Sequence, residues 1–345
     1  MKALVKTAKG PGRMELREIP EPRTGPGQVK VRVSLTGICG TDVHIASGEF
    51  FHYFPPLALG HEFSGVVAEV GEGVEGIAAG ERVTAEPTKS TCGVCPHCRS
   101  GAYNRCEKRD IAGVVSDGAF TDFVVTRAAS IHKLPEGVSL KAAALSEPLA
   151  VAVHGVTEQC SLSEGDAVLV AGPGPIGLAC AQVAMAFGAR VVVAGVSRDA
   201  RRLALAERLG AERVVNVDEE DLKAAVEEVT EGWGVHLAVE AAGAAAASRA
   251  CLECVRRGGQ ILQVGLPGRP AEVDLDLLAW KEARIVGAFG QKYSAWRTAI
   301  RLMEEGRVDM EAMVSEVLPL KEWERGFEIM ARGEGLKVLI EPEGN

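Results

Sequence analysis

Apolar and polar residues alternate without a break over residues 29–35, V-K-V-R-V-S-L, the period of a strand with one face in a core and the other toward water. Residues 63–83 continue in short apolar runs punctuated by Gly71, Gly73, Gly76 and Gly80, which read as strands joined by tight turns, and residues 114–125 add a further strand pair. The first region is thus expected to be β-rich, a barrel-like or sandwich sheet. After Leu140 the texture changes. Residues 142–160 read as mostly helical, with Pro148 where a first turn tolerates it, and residues 163–166 form a turn. Beyond them, apolar runs at 167–171, 191–196, 213–217, 237–240, 260–265 and 284–289 alternate with helix-length segments. Strands that are apolar along their whole length are buried on both faces, so this half predicts an α/β fold with a doubly wound parallel sheet. Residues 294–341 hold an amphipathic helix marked by Trp296, Ile300 and Met303, then a last strand at 337–340 expected to return to the first region. The expected ranges are 1–150 and 151–289, with 290–345 rejoining the first.

Composition fits two folded cores. At ~150 residues per domain, 345 residues suggest two, and 47% hydrophobic with 25% charged residues is the balance of a globular protein. The net charge of −9 repels phosphate backbones and anionic lipid surfaces, which argues against nucleic-acid and membrane partners. Residues 167–189 are uncharged and long enough to cross a bilayer, but Gly172, Pro173, Gly174, Pro175 and Gly177 break them into strand, turn and helix. The first ten residues lack the apolar run of an export signal. Nine cysteines, an odd number, then point to reduced thiols or thiolate ligands and a cytoplasmic location.

Three constellations carry chemistry. The first is G-P-G-P-I-G at 172–177, directly between an apolar run and a helical segment. There Gly172, Gly174, Pro175, Ile176 and Gly177 bring backbone N–H groups and a helix N-terminus to a pyrophosphate, the Rossmann dinucleotide arrangement. About 20 residues further on, where an acid would bind the ribose of NAD, stands Gly195, followed by Ser197, Arg198 and Arg202. Guanidinium groups match a 2′-phosphate, so NADP is favoured over NAD, with Asp199 the residue that could restore a carboxylate. Val264 and Gly265, ending the fifth apolar run, complete the expected cofactor positions.

The second constellation is Cys92, Cys95 and Cys98 at two-residue gaps with Cys106 nearby. Four thiolates at this spacing suit a closed tetrahedral zinc that braces a loop. The third is dispersed: C-G-T-D-V-H at 39–44, G-H-E at 60–62 and S-E-P at 146–148. Mixed sulfur, nitrogen and oxygen donors suit a catalytic zinc, which keeps one position open and lowers the pKa of an oxygen bound there. Each taken singly also reads as a buried thiol, a core histidine or a helix-start carboxylate.

Together these motifs resemble the zinc-dependent medium-chain alcohol dehydrogenases, in the branch of sorbitol and L-threonine dehydrogenases, over essentially the whole chain. The quoted residues are G-H-E-F-S-G at 60–65 with Gly71 and Val74, I-C-G-T-D-V-H at 38–44 and the four lobe cysteines. The resemblance implies a GroES-like catalytic domain beside the Rossmann domain, two zinc ions per chain, and a homotetramer or homodimer. It implies that Cys39 and His61 bind catalytic zinc with Glu62 or Glu147 as third ligand, that Thr41 is the first proton acceptor, and that His44 relays the proton or contacts cofactor phosphate. Asp42 reads as a backbone cap or outer-shell group, and Phe50, Tyr53 and Phe120 as pocket walls or packing groups. The implied reaction is hydride transfer between a secondary alcohol or polyol and NAD(P), with L-threonine 3-dehydrogenase as the alternative. A zinc-free quinone or enoyl reductase and a zinc-ribbon binding module are rivals of other kinds. One departure bears on substrate: Gly290 or Gln291 stands where the branch places an arginine.

Overall fold

The computed structural model describes residues 1–50 and 52–343, which divide into two compact units. One comprises Met1–Glu147, Lys292–Glu304 and Met310–Asn345, the other Pro148–Gln291 and Glu305–Asp309.

In the first unit the alternating segment becomes the strand Gln28–Gly37, the centre of a seven-stranded sheet. It pairs antiparallel with Glu62–Val70 along most of its length, with Phe123–Arg127, and with the final strand Lys337–Glu341 through Gly37 and Thr36. Val29, Val31 and Val33 turn inward against Phe63, Val67, Val83 and Val124, so period two in sequence becomes one buried face. Two elements of this unit differ from expectation. Residues 114–125 give no strand pair: only Phe123–Arg127 forms a strand there, because residues 111–116 turn back on themselves through N–H bonds to the Ile111 carbonyl. The strand Val314–Pro319, parallel to Lys337–Glu341, carries no strict alternation and went unread.

In the second unit six parallel strands form one sheet. Arg190–Gly195 and Arg213–Asn216 lie to one side of Ala167–Ala171, and Val235–Glu240, Val255–Gln263 and Arg284–Gly287 lie to the other. The order therefore reverses beside Ala167–Ala171, and in such sheets ligands bind at the carboxyl ends where the order reverses. The helix Pro175–Ala186 follows with Gly174 as its N-cap and proline at its first position. Gly172 is required twice over: its φ is +105°, and a Cβ would stand 2.7 Å from the Ala242 nitrogen. Residues 167–189 are accordingly strand, turn and helix, and among the described residues no helix is long and apolar enough to cross a membrane.

Candidate functional site

Cys39 ends the turn after Gln28–Gly37 and is the N-cap of the helix Gly40–Ser47, while Glu62 opens the neighbouring strand with His61 just before it. Their ligand atoms all lie within 4.8 Å of one another, with His61 and Glu62 buried. The fit to a metal is chemical as well as spatial, since a thiol, an imidazole and a carboxylate are the donor types zinc takes. Asp42, one turn into the helix, organises the cluster. Its carboxylate accepts from the Cys39 N–H at 2.9 Å and the Gly60 N–H at 3.4 Å, and one oxygen faces His61 Nδ1 at 3.6 Å. Burial opposes charge on His61, but the Asp42 carboxylate and the Cys39 thiol together lift its imidazole well above the ordinary range.

Two positions beside this cluster escaped the sequence reading. Lys337, buried in the last strand, donates to both Glu62 oxygens at 2.5 and 2.6 Å and faces the Ile38 carbonyl at 3.4 Å. Its partner lies 275 positions away, a separation no local pattern reveals. Gly37 supplies the room: a Cβ there would collide with Glu62 Oε2. Glu147 stands outside the set whose ligand atoms close within 4.8 Å. Burial pushes its carboxyl up to about 7, with His61 pulling it down and Glu62 pushing it up.

Thr41 is half-buried on the same helix, and His44 is exposed with Nδ1 3.3 Å from Glu49. Tyr53 and Phe120 belong to the core: both are buried in one apolar cluster, and the Tyr53 hydroxyl accepts from the Gly10 N–H at 3.1 Å. Phe50 packs against the same cluster. These contacts are those of packing groups, the second of the two readings given for them.

The four lobe cysteines also close within 4.8 Å. Cys92 Sγ is 3.9 Å from Cys98 Sγ and 3.7 Å from Cys106 Sγ, far beyond a disulfide bond. A tetrahedron with zinc–sulfur bonds of about 2.3 Å has edges of about 3.8 Å, so this spacing is that of a four-thiolate shell. Backbone N–H groups of Val94 and Cys95 aimed at Cys92 lower its thiol to about 6. Tyr103 ties the lobe down by donating its hydroxyl proton to the buried Glu86 at 2.7 Å.

In the second unit a cavity of about 560 Å³ opens at the strand ends, bordered by Gly172, Gly195, Arg198, Asp199, Val217 and Ala242. Gly174, Pro175, Ile176 and Gly177 form the adjoining turn and first helical residues. Ser197 N–H donates to Asp218 at 2.8 Å, and Arg202 pairs with Asp199 at 3.3 Å. Val264 and Gly265 lie just beyond their strand, donating to the Glu240 carbonyl at 3.0 and 2.8 Å. Glu240, fully buried and unread in the sequence, accepts from the Ala242 N–H at 3.0 Å and from the Gln263 side chain. An acid at the end of an apolar strand was its only signal.

Residues 25–136 match the family described as alcohol dehydrogenase GroES-like domain, and residues 175–305 match zinc-binding dehydrogenase. Along 99% of both chains this one is 41% identical to sorbitol dehydrogenase of Halalkalibacterium halodurans. It is 39% identical to D-arabitol-phosphate dehydrogenase of Enterococcus avium, over 99% of this chain and 97% of that one. Among solved structures it is similar to a zinc-binding dehydrogenase from Sinorhizobium meliloti 1021 bound to NADP, with 32% identity, TM-score 0.90 and 99% of each chain covered. The chain belongs to the zinc-dependent alcohol dehydrogenase family, oxidoreductases built from a GroES-like and a Rossmann-type domain.

Proposed function

We infer that the protein oxidises a polyol or related secondary alcohol with NADP, using a zinc ion held by Cys39, His61 and Glu62. The observation that carries this is the closing of those three ligand atoms within 4.8 Å on a buried, Asp42-braced scaffold. Zinc bound there would supply a Lewis acid that eases ionisation of the substrate hydroxyl, and the nicotinamide would accept the hydride. Glu62 can serve metal and lysine together, since a carboxylate has about four lone-pair sites and Lys337 takes only part of them. Glu147 is the neighbouring carboxylate, and Asp42 faces the His61 ring at 3.6 Å. Thr41 Oγ1 would accept the departing proton as it gives up its own, and exposed His44 would release that proton to solvent from the nitrogen that Glu49 leaves free. The four lobe cysteines would hold a second zinc that braces the loop.

The polyol assignment follows from full-length likeness to sorbitol and arabitol-phosphate dehydrogenases. NADP is supported by Gly195 and Arg198 at the cavity and by NADP in the Sinorhizobium meliloti structure. Unbridged cysteines fit a cytoplasmic setting. Among the described residues the edge strand Arg284–Gly287 pairs with Val255–Gln263 alone, and Ile285 within it and Phe289 just after it are 47% and 58% exposed, which supports a homodimer or homotetramer. Light scattering should return a multiple of the chain mass; a monomer would remove that part.

Initial rates of NADP and NAD reduction with sorbitol, arabitol phosphate, 2,3-butanediol and L-threonine, with and without a zinc chelator, test the reading. Chelator-sensitive reduction of NADP by a polyol or diol is expected. Chelator-resistant activity, or activity with L-threonine alone, would overturn it. Gly37→Ala should crowd Glu62 out of place, lowering kcat/KM about tenfold and depleting zinc, as metal analysis would show.

A further inference from the structure

At Gly195 the structure shows a constraint on cofactor choice that the substitution of glycine for an acid does not by itself reveal. Gly195 closes the strand Arg190–Gly195 and is absent from the glycines with positive φ, so its want of a side chain answers space and not backbone conformation. A Cβ there would stand 2.8 and 3.0 Å from Cγ and Cδ of Pro173, and 3.2 Å from Asp199 Cβ. Pro173 is the second residue of the glycine-rich turn, and its ring has no rotamer into which to retreat. Asp199, the nearby carboxylate, is already engaged: one oxygen accepts from the Val196 N–H at 3.3 Å and the other pairs with Arg202 at 3.3 Å. Arg198 is exposed at the rim of the same cavity.

We propose that Pro173 and Gly195 form a steric lock that keeps a ribose-binding acid out of the strand end, leaving Arg198 to decide between a 2′-phosphate and a 2′-hydroxyl. This rests on the reading that the cavity takes the adenosine end of a nicotinamide cofactor. The lock makes the two positions interdependent: an aspartate at 195 can act on the ribose only when the Pro173 ring is gone. Introduced alone, it must push Pro173 and the phosphate-facing turn aside, which harms both cofactors alike.

The test is equilibrium binding of NADPH and NADH to the full-length zinc-loaded protein, followed by cofactor fluorescence, with the thermal midpoint of each variant as a folding control. Pro173→Ala is measured as the reference for the double variant, and Gly195→Asp alone should weaken both cofactors by about tenfold or more. Pro173→Ala combined with Gly195→Asp should bind NADH about tenfold more tightly than Gly195→Asp does, with NADPH still weak because the new carboxylate repels the 2′-phosphate. If Gly195→Asp does not fold, Gly195→Ala in both backgrounds asks the same question with the Cβ alone, and should weaken binding only when Pro173 is present. Gly195→Asp binding NADH as tightly as the double variant would overturn the lock. A parent that binds NADH more tightly than NADPH would overturn the NADP reading, while the lock is still judged by the comparison of single and double variants.

Discussion

Replacing His61 with alanine is expected to lower kcat/KM for alcohol oxidation by about a thousandfold or more and to remove one of two zinc ions per chain. The imidazole sits among the Cys39 and Glu62 ligand atoms, with Asp42 facing its Nδ1, so its removal takes away one of the three donors that close on the metal position. A Lewis acid contributes several kcal/mol to such a step, and each 1.36 kcal/mol is a factor of ten in rate. NADPH binding should stay within about twofold, because the cavity and the glycine-rich turn belong to the other unit. Side-by-side rate, metal and cofactor titrations would check all three. A variant that loses activity yet keeps two zinc ions would show that His61 acts on substrate and not on metal.

The second large effect is expected in the lobe. Cys106→Ser should also lower zinc to one per chain, but its signature is stability. Cys106 is the buried member of the four thiols, and its sulfur lies 3.7 Å from Cys92 Sγ, so a weaker ligand there opens the shell. Without the metal, contacts such as Tyr103 to Glu86 and Arg127 over the Tyr103 ring would be left to hold the lobe. A loss of about 3 kcal/mol would lower the melting temperature by about 6–12 °C for a domain of this size. Calorimetry measures the shift, and limited proteolysis should show new cleavage among residues 91–106. Residual activity near 20 °C should persist in Cys106→Ser and be absent in His61→Ala, which separates the two metals by function.

What the sequence made legible was chemistry set by short spacing. Cys92, Cys95 and Cys98 stand at fixed gaps because one loop must wrap one ion, and Gly172 and Gly177 because a Cβ at the first would strike the Ala242 backbone and at the second the Gly172 carbonyl. The alternation of residues 29–35 and the apolar runs of the second half gave the two kinds of sheet for the same reason, since burial on one face or on two leaves its own period. Relations carried by tertiary contact stayed hidden. Lys337 looked like the polar start of an apolar strand, yet it is buried against Glu62. Tyr53 and Phe120 are aromatic residues in loops by sequence, and only packing shows that both lie inside the core. Residues 142–160 read as helix, but the segment His154–Gln159 is wound as a π-helix, a difference of hydrogen-bond partner that leaves little trace in composition. Gly195 was noticed as a missing acid, while the Pro173 ring that occupies its space could be seen only in three dimensions.

The central claim is that Cys39, His61 and Glu62 hold a zinc ion on which alcohol oxidation depends. Its most direct test is metal content per chain, measured by elemental analysis on the purified protein and on His61→Ala, with the rate of NADP reduction by a polyol recorded on the same samples. The account predicts two zinc ions and activity in the first, and one zinc ion with activity lost in the second. Two zinc ions and undiminished activity in His61→Ala would contradict it.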